Sequence, residues 1–129
     1  MATWTNAKLS KIGTAEELQI ASLRRDGTLR KPVIIWVVRL GDDLYVRSVN
    51  GRTAAWFRHT QVRHEGRIQA GGINKDVTFV DATPNLNDQI DAVYRSKYRR
   101  YAASIINSIV SPAARSATIQ LVPQKQSVS

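Results

Sequence analysis

The sequence predicts a mainly β fold of the α+β class: a small antiparallel barrel with flanking helices. Three observations carry that expectation. Strand-like segments follow one another across short turns containing Gly or Asp, as a run of hairpins does. An extended helical periodicity appears in one place only, from Asn85 onward. A parallel sheet would need a crossover between successive strands, and the first half of the chain offers only short helical segments.

The elements follow in order. Thr5 to Ile12 reads as a short helix, capped by Thr5 or Asn6 and closed by Gly13, with Leu9 and Ile12 facing a core. Glu17 to Leu23 alternates Leu18, Ile20 and Ser22 against Gln19, Ala21 and Leu23, the period of a first strand. Arg25-Asp26-Gly27-Thr28 carries the strongest hairpin signal in the chain. Lys31 to Leu40 is nearly all apolar and β-branched, which predicts a central strand buried on both faces, with Pro32 at its start. Gly41-Asp42-Asp43 turns the chain into a third strand beginning at Leu44. Arg52 to Arg58 reads as a short helix, Arg63 to Ala70 as a fourth strand, and Asp76 to Ala82 as a fifth beyond the Gly71-Gly72 turn. Leu86, Ile90, Val93, Tyr94, Tyr98 and Tyr101 then fall at helical spacing, predicting one long helix that runs to Val110 and ends at Ser111-Pro112. Ser116 to Val122 makes the sixth strand. One domain over residues 1–123 is expected, with 124–129 as a disordered tail.

Composition narrows the function classes. The chain has 129 residues and no cysteine, which removes thiol nucleophiles, disulfides and Cys-ligated metals. The longest apolar run, Val33 to Val38, suits a buried strand and is far too short to span a membrane. The N-terminal residues lack the apolar stretch of a secretion signal, so a cytoplasmic location is expected. A net charge of +9 favours anionic partners. Its arginines are dispersed, no nucleic-acid motif accompanies them, and nucleic acid is not the expected partner.

The segment Leu44 to Phe57, LYVRSVNGRTAAWF, concentrates the chemistry. Leu44 and Val46 alternate with Tyr45 and Arg47 as in a half-buried strand, Asn50-Gly51 supplies a tight turn, and a helix start follows. Arg47, Ser48, Asn50 and Arg52 converge there, a plausible seat for a phosphate at a helix start. Arg47 and Ser48 leave an ideal strand on opposite faces, so a twist or bulge at Val49 is required for both to serve one site. Read without function, the same stretch is a surface crossover with ordinary arginines.

The chain also resembles a known family. The segments ELQIASLRRDGTLRKPVIIWVV, LYVRSVNGR, AAWFR, EGRIQAGG and DVTFVDA are similar to the bacterial family called domain of unknown function 2255. That resemblance implies a six-stranded antiparallel split β-barrel, of the FMN-binding split-barrel type. More distantly, SVNGRTAAWF is similar to the part of deazaflavin-dependent nitroreductases where a serine, an Asn-Gly turn and a helical tryptophan follow a strand. The chain departs from their pattern in lacking an Asn-Leu pair directly after the tryptophan helix. The resemblance implies Arg47, Ser48, Asn50, Gly51, Arg52 and Trp56 as cofactor-binding residues. Tyr94, Tyr98 and Tyr101 are similar to the tyrosines that line the substrate side. Trp36 is a core residue by position and a pocket-facing ring in the alternative.

The implied cofactor is FMN or an 8-hydroxy-5-deazaflavin coenzyme, with hydride transfer to an unidentified substrate. The implied assembly is a homodimer whose interface helps to form the groove. Two other readings compete: a cofactor-free barrel that binds an anionic small molecule or a protein partner, and a cofactor-independent enzyme that works through the tyrosines and a histidine. His59 and His64 are five apart with no third ligand evident, so no metal site is expected.

Overall fold

The structure is a computed structural model and describes residues 3–124. Seven strands form one antiparallel sheet in the spatial order β2-β1-β5-β6-β7-β4-β3. They are β1 (Leu18–Ser22), β2 (Val33–Ile35), β3 (Val37–Leu40), β4 (Asp43–Arg47), β5 (Glu65–Ala70), β6 (Ile73–Asp81) and β7 (Thr118–Pro123). The sheet curls into the expected barrel, nearly closed, with helices packed on its flanks. It has seven strands where six were expected.

The seventh arises because Lys31–Leu40 is two strands. It breaks at Trp36, and its halves lie at opposite ends of the sheet: β2 pairs only with β1, and β3 only with β4. This apolar run is therefore the crossing over the open seam, not a central strand. Its halves are apolar for different reasons. Val37 faces the barrel interior and Val38 a second core outside it, both fully buried. In β2, Val33 and Ile34 are exposed, Ile34 at 59%. A continuous apolar run cannot distinguish these cases, since periodicity reports the number of covered faces and not what covers them.

The barrel interior is filled by alternating side chains of the strands, among them Leu18, Ile20, Leu44, Val46, Ile68, Phe79, Ile119 and Leu121. One mouth is plugged by α1 (Asn6–Gly13), with Leu9 and Ile12 buried and Thr5 capping the first turn. Gly71 passes under this helix with φ +56, and a Cβ there would stand 2.3 Å from the Lys11 carbonyl oxygen. Trp4 seals the same end, its Nε1 donating to the Leu121 carbonyl at 2.9 Å.

Beyond β4, residues Gly51–Thr53 form a single 3₁₀ turn before α2 (Ala55–Arg63), which buries Phe57 against the barrel. The expected long helix is three. A 3₁₀ turn at Pro84–Leu86 leads into α3 (Asn87–Lys97), followed by α4 (Ala103–Ile109) and α5 (Pro112–Ser116). Ser111-Pro112 starts α5 where it was expected only to end a helix. The Ser111 hydroxyl caps that helix and Pro112 takes its first turn, where a missing N–H costs nothing. Together α3 and α4 cover the outer face of β3 and β4, making a second core of Val38, Tyr45, Ile90, Tyr94, Tyr98, Ile106 and Ile109. Gln124, expected in the tail, is tied into the fold by its backbone N–H to the Asp76 carbonyl. The remainder of that expected tail, 125–129, lies outside the described residues.

Candidate functional site

A cleft of about 300 Å³ opens at the seam of the barrel. Four pieces of chain wall it: β2 continuing through Trp36, residues 47–50 at the end of β4, Trp56 of α2, and Ile105, Ser108 and Ile109 of α4. The lining is mostly apolar, and both indoles are half-buried in it. This is the composition of a small-molecule site: an apolar slot with few polar groups.

Ser48 is the polar group without a partner. The residue is fully buried, and its Oγ has no hydrogen-bond partner among the described residues. Nearby, the backbone N–H groups of Val49 and Asn50 likewise have no acceptor among the described residues. The turn that follows holds Asn50 at φ −87, ψ 9 and Gly51 at φ +75. A Cβ at Gly51 would press on Ala113 of α5 at 3.2 Å, so the turn needs glycine for both conformation and space.

Arg47 shares the cleft wall but is already saturated. Its Nε donates to Thr118 Oγ1 at 2.9 Å, and its Nη1 to the Asp91 carboxylate and to the Ile109 carbonyl at 3.2 Å. Its Nη2 donates to the Asn87 carbonyl and side-chain oxygen, each at 3.2 Å. A guanidinium has five N–H groups, so no donor is left for an incoming phosphate. Alternation along β4 places this side chain on the outer face, with Tyr45. That face is covered by α3 and α4, which is why the arginine is buried and not solvated.

Arg52 is exposed and outside the cleft wall. One nitrogen donates to the Ser116 carbonyl at 2.9 Å, and the guanidinium lies over the Phe57 ring. Of the residues expected to bind a cofactor, the structure thus brings Arg47, Ser48, Asn50 and Trp56 to one cleft, with Gly51 shaping the turn and Arg52 outside.

The expected substrate-side tyrosines are not in the cleft wall. Tyr94 and Tyr98 are fully buried in the second core. The Tyr94 hydroxyl has no partner among the described residues, and its ring lies 5.5 Å from the Arg47 guanidinium. The Tyr98 hydroxyl donates to the Glu16 carbonyl at 2.9 Å and accepts from the Val37 N–H at 3.3 Å. Tyr101 is half-buried, and its hydroxyl donates to the Glu16 carboxylate. Trp36 is the link between the two regions: its indole lines the cleft and stacks on Tyr98 at 3.8 Å, 3° from parallel.

Sequence reasoning missed the α4 wall and the group around Glu16. Lys97 donates to the Val37 carbonyl at 2.5 Å, and burial pulls its pKa down to about 8 against the opposing pull of Glu16. Glu16 is held below the usual carboxylate range, mainly by the Tyr101 hydroxyl and then by Arg100. Neither histidine lines the cleft. Among the described residues, no group of three metal-ligating side chains comes together, and no helix is long and apolar enough to cross a membrane.

The comparisons with known proteins accord with this architecture. The model of a family described as "Uncharacterized protein conserved in bacteria (DUF2255)" matches residues 8–121. No curated protein matches the sequence. HutZ, a heme storage protein from Vibrio cholerae, superposes with a TM-score of 0.63 at 12% identity, over 94% of this chain and 91% of that one. A structure titled F420 reductase gives 0.59 at 13% identity, over 91% and 93%. An FAD-binding protein from Mesorhizobium loti gives 0.56 at 15% identity, over 96% and 93%. Likeness at these identities establishes the split-barrel fold.

Two predictions follow from the site's chemistry. Arg47→Met removes the hydrogen-bonded partner of a mostly buried carboxylate, leaving it only the looser Arg115 contact at 3.4 Å, and breaking such a pair costs about 3–5 kcal/mol. Chemical denaturation should show a loss of that size, and the double variant Arg47→Met with Asp91→Leu should recover part of it. Equal stability of wild type and single variant would contradict the pairing.

The second concerns the four tyrosines. Burial raises the pKa of Tyr45, Tyr94 and Tyr98, and the Glu16 carboxylate, as the leading cause, raises that of Tyr101. A folded pKa above the unfolded value of about 10 gives stability that is present below that pH and lost as pH rises through the folded values. Near pH 11, absorbance should show fewer phenolates in the native protein than in urea, where titration is normal. Superimposable native and unfolded titration curves would contradict the assignment.

Proposed function

The chain belongs to the DUF2255 family, and we propose that it binds a flavin-type cofactor, FMN or an 8-hydroxy-5-deazaflavin coenzyme, in the cleft between Trp36 and Trp56. Ser48 carries this reading. A buried hydroxyl left without a partner costs about 1–3 kcal/mol, which a ligand with a polar edge recovers. Here the residue that carries that hydroxyl lines an apolar slot between two indoles, the environment a planar heterocycle with a polar rim requires. The fold is shared with an F420 reductase and an FAD-binding protein. HutZ is a heme storage protein. A flavin-type ring suits this cleft better, because among the described residues no histidine, cysteine, methionine or tyrosine lines it to serve as an axial ligand.

In this reading the protein is a small oxidoreductase, and the bound group supplies hydride transfer. The chain's own residues bind and orient. Trp36, Trp56 and the α4 face exclude water from the ring. The Ser48 hydroxyl and the N–H groups of Val49 and Asn50 meet its polar edge. Arg47 gives no direct bond but holds the wall in place. Arg52 and the rest of a surface of net charge +9 would offer cations to a phosphate-bearing tail.

The reading includes a homodimer. Val33, Ile34, Val49 and Ile105 are exposed apolar residues, and all four line the cleft. β2 beside them is an end strand with one free edge. A second copy seated on this rim covers both the apolar surface and the edge.

Titration of FMN and of a deazaflavin, followed by quenching of flavin and tryptophan fluorescence, tests the cofactor. At least one should saturate, and Ser48→Ala should weaken it by about 0.5–1.5 kcal/mol, roughly two- to twelvefold in Kd. Absence of saturable binding by both would overturn the reading. Sedimentation should give a mass of two chains; a single-chain mass at all concentrations would remove the dimer.

A further inference from the structure

We propose that Trp36 and Tyr101, held in place by the Tyr98 ring between them and the core, form a conduit that moves one-electron oxidising equivalents out of the cleft to the protein surface, with Glu16 receiving the phenolic proton. The inner end is the Trp36 indole in the cleft wall. It stacks face to face on Tyr98 at 3.8 Å and lies 4.9 Å from the Tyr101 ring, and the two tyrosine rings are 6.0 Å apart. Three oxidisable rings are thus in or near van der Waals contact, and electron transfer over such distances needs no intervening carrier.

The hydrogen bonds decide where the oxidation ends. A phenol loses its electron readily only if a base takes its proton. Tyr98 faces backbone oxygens of Glu16 and Val37, which are feeble bases. Tyr101 faces the carboxylate of Glu16, which, though Arg100 weakens it as a base, takes a proton far more readily than a backbone carbonyl. The Glu16 and Arg100 side chains are 40% and 68% exposed, so this end meets solvent.

The other tryptophans lead nowhere. Trp56 meets Phe57 edge-on at 6.2 Å, a ring that is hard to oxidise, and Trp4 is buried with its N–H on a backbone carbonyl.

The step balances as follows. An oxidant in the cleft, a reactive oxygen species of the hydroxyl- or peroxyl-radical class, takes one electron from Trp36. An electron passes from Tyr101 to Trp36 while the Tyr101 O–H proton moves to Glu16. The products are a once-reduced oxidant, restored Trp36, a neutral Tyr101 radical and protonated Glu16. A soluble thiol or ascorbate then returns a hydrogen atom to Tyr101, and Glu16 releases its proton to water. The path from Trp36 to Tyr101 does not depend on the cofactor reading above.

Pulse radiolysis with azide radicals, which oxidise tryptophan in preference to tyrosine, tests the path in the cofactor-free protein. Decay of the indolyl signal should be matched by growth of a tyrosyl signal, in a phase whose rate is independent of protein concentration. That phase should vanish in Trp36→Phe and in Tyr101→Phe. It should persist in Trp56→Phe and in Tyr98→Phe, which keeps the stack without the hydroxyl. In Glu16→Gln it should slow at least tenfold. Thermal melts of each variant separate loss of the path from loss of fold. Persistence of the phase without Trp36 or Tyr101, or an unchanged rate in Glu16→Gln, overturns the conduit. The FMN titration is independent, and its failure overturns the cofactor reading alone.

Discussion

One buried guanidinium holds the site together. Arg47 reaches from β4 to Thr118 on β7, to Asn87 and Asp91 on α3, and to the last carbonyl of α4 at Ile109. Burying a full charge is costly unless it is paired and every donor is used, and here both conditions hold. The consequence is geometric. α3 and α4 can cover the outer face of the sheet only where they present Asp91, Asn87 and the free C-terminal carbonyl of α4 to that one group. α4 is in turn the far wall of the cleft, so the width of the slot between Trp36, Trp56 and Ile109 is set by the arginine's reach. A residue that looks like a ligand binder acts as the clamp that shapes the place where a ligand sits.

The second constraint is the seam. One apolar segment supplies both end strands of the sheet and changes ends at Trp36. The barrel is left open where β2 stops, and the opening is the cleft. Trp36 therefore has one side on the slot and the other on Tyr98, a position available only to the residue at the crossing. The tyrosines, absent from the slot wall, form its backing.

Much of this was legible in the sequence, and the gaps have identifiable physical causes. Local chemistry was readable: the Thr5 cap, the Asp26-Gly27 turn, the glycine pair at 71 and 72, and the Asn50-Gly51 turn all stand where their φ preferences put them. What could not be read was which surface a helix would cover. Arg47 alternates as an outward residue and is buried because α3 comes to it from forty residues away. The helix break after Lys97 was hidden because RRYAA holds neither Gly nor Pro. A continuous stripe through Tyr94, Tyr98 and Tyr101 would bury Ile105 and Ser108 next. The structure buries Ile106 at 7% exposure and leaves Ile105 at 45%, a slip of one residue that two adjacent isoleucines conceal. Ser48 was visible in the residues of the turn itself, and Trp56 through a family resemblance. The emptiness around the Ser48 hydroxyl was not, because sequence pattern does not report an unmade hydrogen bond.

The most direct measurement is a crystal structure of the protein soaked with FMN or with a deazaflavin. The account predicts ring density in the seam between the Trp36 and Trp56 indoles, with Ser48 Oγ at hydrogen-bond distance from a ring heteroatom and Arg47 still fully paired to Asn87, Asp91, Thr118 and Ile109. Ring density on another face of the barrel, or a ring in the cleft that leaves the Ser48 hydroxyl unpartnered, would contradict it.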